Sequence, residues 1–269
     1  MTADHLRRER APISALAWGQ IEEEASRTLK GYLAGRPLID VSGPHGWEKS
    51  SYSLGRVQPV ASPREGVDAK LRQVQSLVEL RTPFEVLYSS IDAAERGAPD
   101  ADWQSVVDAA QRAALAEDTA IFHGYPAGAI TGLVPASPHA EVAIGDDYAD
   151  YPEYVASAVV KLRTAGIQGP YALALGPVCY TGVIETTEAG YPVFEHLKSI
   201  LGGPVVWAPA VDGAVVVSLR GGDYQLVIGQ DFSIGYRSHT ADAVQLYFEE
   251  SITLVVVDDR AAVRLAYPS

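Results

Sequence analysis

Apolar side chains recur at helical spacing along two long stretches of the chain, residues 14–33 and 100–122. Ser14 and Asp100 stand at the start of these stretches, where each can cap the first turn of a helix. The pattern predicts two long amphipathic helices, each with one face on a core. The apolar positions of the first are Trp18, Ile21, Ala25, Leu29 and Leu33, and those of the second are Trp103, Val106, Val107, Ala110, Ala114, Ile121 and Phe122.

Shorter runs predict the remaining helices and most of the strands. A third helix is expected over residues 152–164, with Pro152 at its start and Gly166 after its end. Two further short helices are expected on either side of a polar, glycine-containing loop at residues 185–191. The short helices are predicted at 178–184 and 193–201, and strands at 39–41, 77–87, 171–175 and 243–257.

Two short apolar runs, residues 214–219 and 224–228, flank the sequence Arg220-Gly221-Gly222-Asp223. Two glycines between runs of β-forming residues are typical of a tight turn that joins neighbouring strands. The pattern therefore predicts a β-hairpin at this point. Together with the long helices, it indicates an α+β fold, in which helices lie beside an antiparallel sheet.

Residues 47–74 are polar and weakly patterned, with Gly55, Pro59, Pro63 and Gly66 interspersed. A segment of this length is too long for a routine connection inside a domain. Two interpretations stay open: the segment is disordered, or it is an arm that another chain orders.

The amino-acid composition excludes a disordered chain and argues against nucleic-acid and membrane partners. Among 269 residues, 47% are hydrophobic and 20% are charged, which is enough for a core and excludes a disordered chain. The 34 acidic residues outnumber the 21 basic ones and give a net charge of −13, which argues against a nucleic-acid partner. No apolar run has the length of a membrane span, and no apolar segment follows the basic N-terminal residues, so neither a membrane partner nor a secretory signal is expected.

Motifs that would indicate catalysis are mostly absent from the sequence. The sequence lacks the nucleophile elbow, the phosphate-binding loop and the zinc-protease motif, and its six histidines show no metal-ligand spacing. Ser238, His239 and Asp242 suggest a catalytic triad only by adjacency, so a solvated turn is favoured there. The single cysteine, Cys179, lies in an apolar run and fits a buried residue in a reducing cytoplasm. We expect no enzyme activity, metal or cofactor.

Several motifs, in their order and spacing, resemble the shell proteins of encapsulin nanocompartments of family 1, the linocin or bacteriocin-like family. The similarity extends over nearly the whole chain. The most specific run is Arg220-Gly221-Gly222-Asp223-Tyr224 followed by Gly229-Gln230-Asp231-Phe232-Ser233-Ile234-Gly235-Tyr236. Other matching motifs include Gly35-Arg36-Pro37-Leu38-Ile39-Asp40-Val41, Gly43-Pro44-His45-Gly46-Trp47-Glu48 and Glu79-Leu80-Arg81-Thr82-Pro83-Phe84.

The resemblance implies the HK97 phage-capsid fold, with a P-domain, an A-domain and an extended E-loop. The segment 47–76 would be the E-loop, and the helix near 100–122 would be the spine of the P-domain. The implied ranges are 1–46 for the N-terminal helix and the start of the P-domain, 47–76 for the E-loop, 77–134 for the P-domain with its spine, 135–211 for the A-domain, and 212–269 for the P-domain sheet and C-terminus.

The resemblance also implies self-assembly into a closed icosahedral cage, a virus-like particle of about 60 copies by family analogy, in the cytoplasm. The cage would enclose a cargo enzyme, a dye-decolourising peroxidase or a ferritin-like protein, and hold it by a C-terminal targeting peptide. For Leu29 and Ile234, plain core packing remains an equal alternative. The implied docking residues are Leu29, Arg36, Leu38, Asp40, Asp231, Phe232 and Ile234.

The polar loop matches the family's loop around the five-fold pore, which would admit small substrates. Its carboxylates would favour cations, although size is expected to select before charge. Some relatives bind a flavin beside a tryptophan after the Pro-Phe strand, but here that position is Ser89, preceded by Tyr88, so no flavin is expected. The pore-loop residues are Glu185, Thr186, Thr187, Glu188, Ala189, Gly190 and Tyr191.

Two other functions remain open from the sequence. A prophage major capsid protein shares the implied fold and would package DNA. A bacteriocin or hydrolase is less favoured, because catalytic motifs and a secretion signal are missing. In addition, the chain contains no asparagine, so it cannot form the Lys–Asn isopeptide bond that locks related phage shells.

Overall fold

A computed structural model describes residues 5–268 and shows mixed helices and strands throughout. The α-helices in this range are α1 (Ala15–Tyr32), α2 (Tyr88–Glu95), α3 (Gln104–Phe122), α4 (Leu133–Ala136), α5 (Tyr151–Thr164), α6 (Pro177–Glu185) and α7 (Val193–Leu201). The strands are β1 (Asp40–Ser42), β2 (Ser51–Val60), β3 (Ala69–Ser76), β4 (Val78–Leu87), β5 (Val142–Ala143), β6 (Tyr171–Leu175), β7 (Thr187–Glu188), β8 (Tyr191–Pro192), β9 (Val205–Trp207), β10 (Ala214–Ser218), β11 (Tyr224–Ile228), β12 (Ser233–His239), β13 (Ala243–Val256) and β14 (Ala262–Ala266).

The first five-stranded sheet is organised around the long strand β13. One side of β13 pairs with β4, and the other side pairs with β12 and then with β11, beside which β1 runs parallel. α1 and α3 pack on this sheet through alanine-rich faces, and Ala17, Ala25, Ala110 and Ala114 are buried there. Small side chains allow the two helices to approach each other closely.

The second five-stranded sheet has the order β5-β14-β10-β6-β9. Every residue of β6 and of β10 is buried, as expected for strands covered on both faces. α5 and α7 lie against this sheet and contribute Val155, Leu162, Leu197 and Leu201 to its core. The predicted bounds of β6 and α7 are confirmed.

The hairpin predicted around Gly221 and Gly222 is wrong. Both glycines adopt a φ of 80°, so the chain does turn there, but β10 pairs with β6 and β14 whereas β11 pairs with β1 and β13. The turn therefore carries the chain from one sheet to the other. Arg220 holds it by donating to the carboxylates of Asp223 and Asp258.

The implied domain boundaries stay a prediction. Within 212–269, strands β10 and β14 join the sheet of β6, whereas β11, β12 and β13 form the other sheet, so this range does not build a single sheet. The first and last implied ranges also include residues 1–4 and 269, which lie outside the described residues.

The arm is a hairpin of its own. Strands β2 and β3 pair with each other as a separate two-stranded sheet, with an irregularity in register between Ser53 and Val57. Its order within one chain contradicts the disordered alternative. The apolar side chains that this arm exposes are Val57, Val60, Val67, Leu71 and Val74.

The predicted cap of α1 is confirmed, whereas the predicted cap of α3 is wrong. Ser14 is the cap of α1, because its Oγ accepts a hydrogen bond from Ala17 N at 3.2 Å. Asp100 does not cap α3, which begins at Gln104, and Asp102 Oδ1 instead accepts from Gln104 N at 2.9 Å. The short helix α2 was not predicted at all. It starts at Tyr88 and Ser89, directly after β4.

Candidate functional site

A groove of about 420 Å³ lies between α1 and the beginning of β12. Five of the seven implied docking residues line it together, although they come from distant parts of the sequence. Further lining side chains include Arg8, Glu22 and Lys30 at the polar rim. The five docking residues brought together are Leu29, Arg36, Asp231, Phe232 and Ile234.

The apolar floor of the groove continues the core of the first sheet. Leu29 is 9% exposed and Ile234 is 5% exposed, and both pack with Phe248 in the same cluster. Both residues also line the groove. The two interpretations of Leu29 and Ile234, core packing and a docking surface, are therefore compatible. Their buried atoms fix the shape of a surface that remains open at one side.

Arg36 fixes the polar end of the groove. Its Nε and Nη2 donate to the two carboxylate oxygens of Glu117 at 2.8 and 2.6 Å, and Nη2 also donates to Asp231 Oδ1 at 2.9 Å. Its guanidinium carbon lies 5.2 Å from the ring centroid of Phe232. Burial opposes the charge, but the bonds to Glu117 and Asp231 raise the pKa of Arg36 above its ordinary value.

A second buried carboxyl group, Glu250, completes this cluster. Its Oε2 lies 3.8 Å from Arg36 Nη2, and its side chain is almost fully buried. Burial raises the pKa of Glu250 well above its ordinary value, and the neighbouring Glu117 raises it further. Arg36 therefore faces three carboxyl groups: the fully buried Glu117, the almost fully buried Glu250, whose charged form burial disfavours, and the half-exposed Asp231.

The neighbouring carboxylate of α3 holds the end of α1. Asp118 Oδ2 accepts from Ala34 N at 2.8 Å, and Oδ1 accepts from Gly35 N at 3.0 Å. Burial raises the pKa of Asp118 to about 7, against the lowering effect of the two backbone bonds. Consecutive residues of α3 thus position both walls of the groove, since Asp118 fixes α1 and Glu117 fixes Arg36.

Leu38 and Asp40 do not lie in this groove. Leu38 is 2% exposed and belongs to the core beside the second sheet, whereas Asp40 accepts from Gly222 N at the turn between the sheets. Both border a smaller cleft of about 180 Å³ with Tyr224. Arg36 lines the groove at the start of the short 3-10 turn Arg36–Leu38. By the end of this turn the chain has left the groove, and it then enters β1.

The loop at 185–191 projects from the end of α6. Strands β7 and β8 pair as a small hairpin whose turn, Ala189 and Gly190, has positive φ values of 48° and 83°. Glu188 Oε2 lies 3.0 Å from His196 Nδ1 of α7. The loop is exposed apart from Thr186, which is half-buried, so its carboxylates face solvent in a single chain. Its position around a five-fold axis stays a prediction.

A model of the protein family described as "encapsulating protein for peroxidase" matches residues 3–253. A type 1 encapsulin shell protein of Rhodococcus erythropolis is 50% identical over 262 residues, which cover 97% of this chain and 99% of the relative. This chain belongs to the encapsulin family.

Solved structures confirm the fold expected of an encapsulin. A virus-like particle from Pyrococcus furiosus matches with a TM-score of 0.65 and 16% identity, covering 91% of this chain and 98% of that chain. The capsid of the myovirus XM1 matches with a TM-score of 0.53 and 13% identity, covering 87% and 90% of the two chains. The prediction of an α+β fold of the HK97 capsid type is thus confirmed.

Other chemical sites are scarce in this encapsulin chain. Within residues 5–268, no group of three or more His, Cys, Asp or Glu side chains could hold a metal ion, and no helix is long and apolar enough to cross a membrane. His239 Nδ1 pairs with the hydroxyl of Tyr236 at 2.6 Å. Cys179 is buried and accepts from the hydroxyl of Tyr151 at 3.0 Å, which fits the predicted core position.

The residues that the sequence did not reveal are the buried acids Glu117, Asp118 and Glu250. Each lies in a run that otherwise indicates a core-facing element, namely the alanine-rich helix α3 and the central strand β13. An acid in such a run is a usable signal, because a buried carboxylate requires partners. The partner could not be named from the sequence, since Arg36 is 81 residues from Glu117.

Proposed function

We propose that this protein is the shell subunit of a cytoplasmic nanocompartment, in which many copies close into an icosahedral cage around a cargo enzyme. The observation that carries the proposal is the capsid fold with its hairpin arm. Strands β2 and β3 pair only with each other among residues 5–268, and they expose apolar side chains such as Val57 and Leu71. In water such an arm is poorly stabilised, whereas neighbouring copies can bury it.

Closed symmetry gives the arm a defined partner. Each copy donates its arm to one neighbour and receives another, so no apolar edge remains at the end of the assembly. About 60 copies form the smallest icosahedral cage, which is our proposal for this chain. The cage itself has no catalytic role in this proposal, in keeping with relatives that are named as shell proteins.

Cargo capture is assigned to the groove between α1 and β12. Its apolar floor at Leu29 and Ile234 can receive apolar side chains, and the bonded pair of Arg36 and Asp231 bounds its polar end. A single peptide of modest affinity is sufficient, because an oligomeric cargo presents several peptides to one shell at a high effective concentration. A peroxidase is the proposed cargo, following the description of the family, with a ferritin-like protein as the alternative.

The loop at 185–191 is proposed to line the pore through which small substrates reach the cargo. Its exposed Glu185 and Glu188 add negative charge at that position. A prophage capsid that packages DNA is the second candidate, because the fold is shared with phage capsids. The net charge of −13 favours the nanocompartment over an interior that holds nucleic acid.

The first test is the native mass of the protein expressed alone, together with its ratio of absorbance at the nucleic-acid and protein maxima. A megadalton particle without nucleic acid is the expected result. A particle filled with nucleic acid would support the phage capsid instead. A stable monomer that stays monomeric after the cargo enzyme is added would overturn the shell assignment.

A pair of variants tests the arm directly. Leu71→Asp places a charge on the exposed apolar surface of β3, and we expect it to prevent assembly while the subunit stays folded by circular dichroism. Gln58→Asp, at the paired position of β2, introduces the same charge without removing an apolar group. Particles of normal mass from both variants would show that the arm is not buried between copies.

A further inference from the structure

Among residues 5–268, no strand pairs with the outer edge of β12, which runs along the groove. On its inner side β12 pairs with β13, with Ser233 opposite Glu249 and Gly235 opposite Tyr247. On its outer side Tyr236 N donates to Leu6 O at 2.8 Å, so this residue directs its N–H away from β13. Backbone groups of successive residues in a strand point to opposite edges, which means that residues two apart share an edge.

The alternation assigns the backbone of Ile234 to the outer edge, two residues before Tyr236. An independent contact gives the same assignment. Ser251 N donates to Gln230 O at 2.9 Å, and Ser251 O accepts from Gly229 N at 2.8 Å. The backbone of Ser251 therefore faces the side of β13 on which β12 lies, and so does that of Glu249, two residues earlier. The backbone of Ser233, opposite Glu249, therefore bonds to β13, whereas the backbone N–H and C=O of Ile234 point to the outer edge.

Among residues 5–268, the N-terminal segment bonds to the backbone of this edge at Tyr236. After Leu6 the chain turns at Arg7, which has a φ of 54°, and continues as a 3-10 turn at Arg8–Arg10. Arg8 reaches across to Glu22 of α1. The edge at Ile234 thus lies between the N-terminal segment on one side and the pair of Arg36 and Asp231 on the other, within the groove itself.

We propose that the cargo peptide binds this edge in an extended conformation, as an added strand whose backbone exchanges hydrogen bonds with Ile234 N–H and C=O. The inference rests on the proposed function, since it takes the groove as the cargo site and adds the mode of binding. Main-chain bonds give affinity for any extended peptide, and alternate side chains select the sequence. In this groove the alternate side chains meet Leu29 and Phe232.

The placement also explains how an open strand edge is tolerated. Exposed edges promote pairing between sheets and aggregation, and proteins protect them by covering elements. Here α1 forms one wall beside the edge and the N-terminal segment closes one end. A single flexible peptide can enter such a space, whereas the edge of another folded sheet is excluded by the walls.

The test substitutes the one backbone donor. Ile234→Pro removes the N–H, and proline is tolerated at an edge where the N–H points away from the sheet. Ile234→Val keeps the N–H and removes one methylene. The probe is a peroxidase from the same organism, co-expressed with and without its C-terminal peptide. We expect the cargo-to-shell ratio to fall at least about tenfold in Ile234→Pro, through the lost bond and the bulk of the ring, and to change less than about threefold in Ile234→Val.

Amide hydrogen exchange of the unmodified shell gives a measurement that does not depend on the folding of a variant. In loaded shells the amide of Ile234 should exchange at least about tenfold more slowly than in empty shells, whereas the amide of Gly235 is already protected in both. Equal exchange of Ile234 in the two states would overturn the added-strand proposal.

Leu29→Asp separates this inference from the proposed function. If Leu29→Asp loses its cargo while Ile234→Pro loads normally, the groove remains the cargo site and the strand pairing is wrong. If both variants load normally with intact particles, the cargo binds elsewhere and both proposals fail. If Leu29→Asp and Ile234→Pro both lose their cargo while Ile234→Val loads normally, the result supports the groove as the cargo site and the added-strand mode of binding.

Discussion

The groove and the loop at 185–191 both carry acidic side chains, but the two regions hold them differently. In the groove, Glu117 is fully buried and accepts hydrogen bonds from Nε and Nη2 of Arg36, and Asp118 is buried against the backbone of Ala34 and Gly35. In the loop, Glu185 and Glu188 are exposed. Glu188 has a histidine within 3.0 Å, yet both partners remain about half exposed.

This difference predicts which region tolerates substitution. A buried charge that loses its partner cannot regain water, so each partner in the groove determines the position of the next. An exposed charge that loses its partner is solvated again and is screened beyond a Debye length of about 8 Å. The groove should therefore respond sharply to single substitutions, and the loop should respond weakly even to a double one.

Arg36→Ala should have the largest effect. It leaves Glu117 buried without a cation beside Glu250, and we expect a loss of about 3 kcal/mol in the free energy of unfolding, with loss of cargo. The measurement is chemical denaturation of the shell, with cargo stoichiometry in parallel. The control is Arg27→Ala, whose arginine pairs with Glu24 on the exposed face of α1. Equal stability of the two variants would contradict the buried role of Arg36.

Leu29→Asp should remove cargo and also destabilise the subunit, because Leu29 is 9% exposed and packs in the core beneath the groove. The substitution also places a charge on the apolar wall of the groove, where it opposes the burial of an apolar side chain of the peptide. Shells should form at normal mass but contain less than a tenth of the usual cargo, by the ratio of band intensities in purified particles. Leu16→Asp is the matched control, since Leu16 lies on the same helix and is 52% exposed. Full loading of Leu29→Asp would displace the cargo site from this groove.

Raising the pH should weaken the groove region through Glu250. The folded chain holds a proton on Glu250 that the unfolded chain releases, so stability falls as the pH rises from the ordinary pKa of a glutamate towards the raised one. Asp118 acts in the same direction, but only up to its pKa of about 7. The loss of stability through Glu250 continues until the pH reaches its raised pKa.

Glu250→Gln checks this assignment, because glutamine imitates the protonated carboxyl group and does not titrate. As the pH is raised above about 4.3, the ordinary pKa of a glutamate, the unfolding midpoint should fall further in the unmodified protein than in the variant. Parallel slopes in the two proteins would show that Glu250 is not the group that titrates.

The same contrast explains how much the sequence revealed. β6 and α7 were predicted with their observed bounds, because the continuous apolar run of β6 and the helically spaced apolar positions of α7 both reflect burial at the second sheet. Of the docking residues that the resemblance implies, Arg36, Asp231 and Ile234 lie together in the groove, whereas Leu38 and Asp40 border a different cleft. Glu117 and Glu250 were missed because their role depends on a partner distant in the chain.

The hairpin at Gly221 and Gly222 failed for a related reason. Positive φ at a glycine pair is a local property, and the sequence identified the turn correctly. Which strands pair across the turn depends on β6, β13 and β14, all of them remote in sequence from the glycines. Local patterns therefore predicted the elements well, whereas sheet membership and buried ion pairs required the assembled fold.

The smallest effect is expected from replacing Glu185 and Glu188 together by alanine. Both side chains are exposed, so no buried partner is left behind and particle mass should not change. If the loop lines a pore, permeation of small cations to a cargo reporter should slow by about two- to threefold at low ionic strength and less at physiological salt, because mobile ions screen the lost charge. Glu195→Ala, with its carboxylate paired to Lys198 on α7 just beyond the loop, serves as the control. Unchanged permeation in the double variant at low salt would show that the pore selects by diameter and not by charge. A change in particle mass would instead show that contacts of this exposed loop stabilise the assembly, contrary to the contrast with the buried groove.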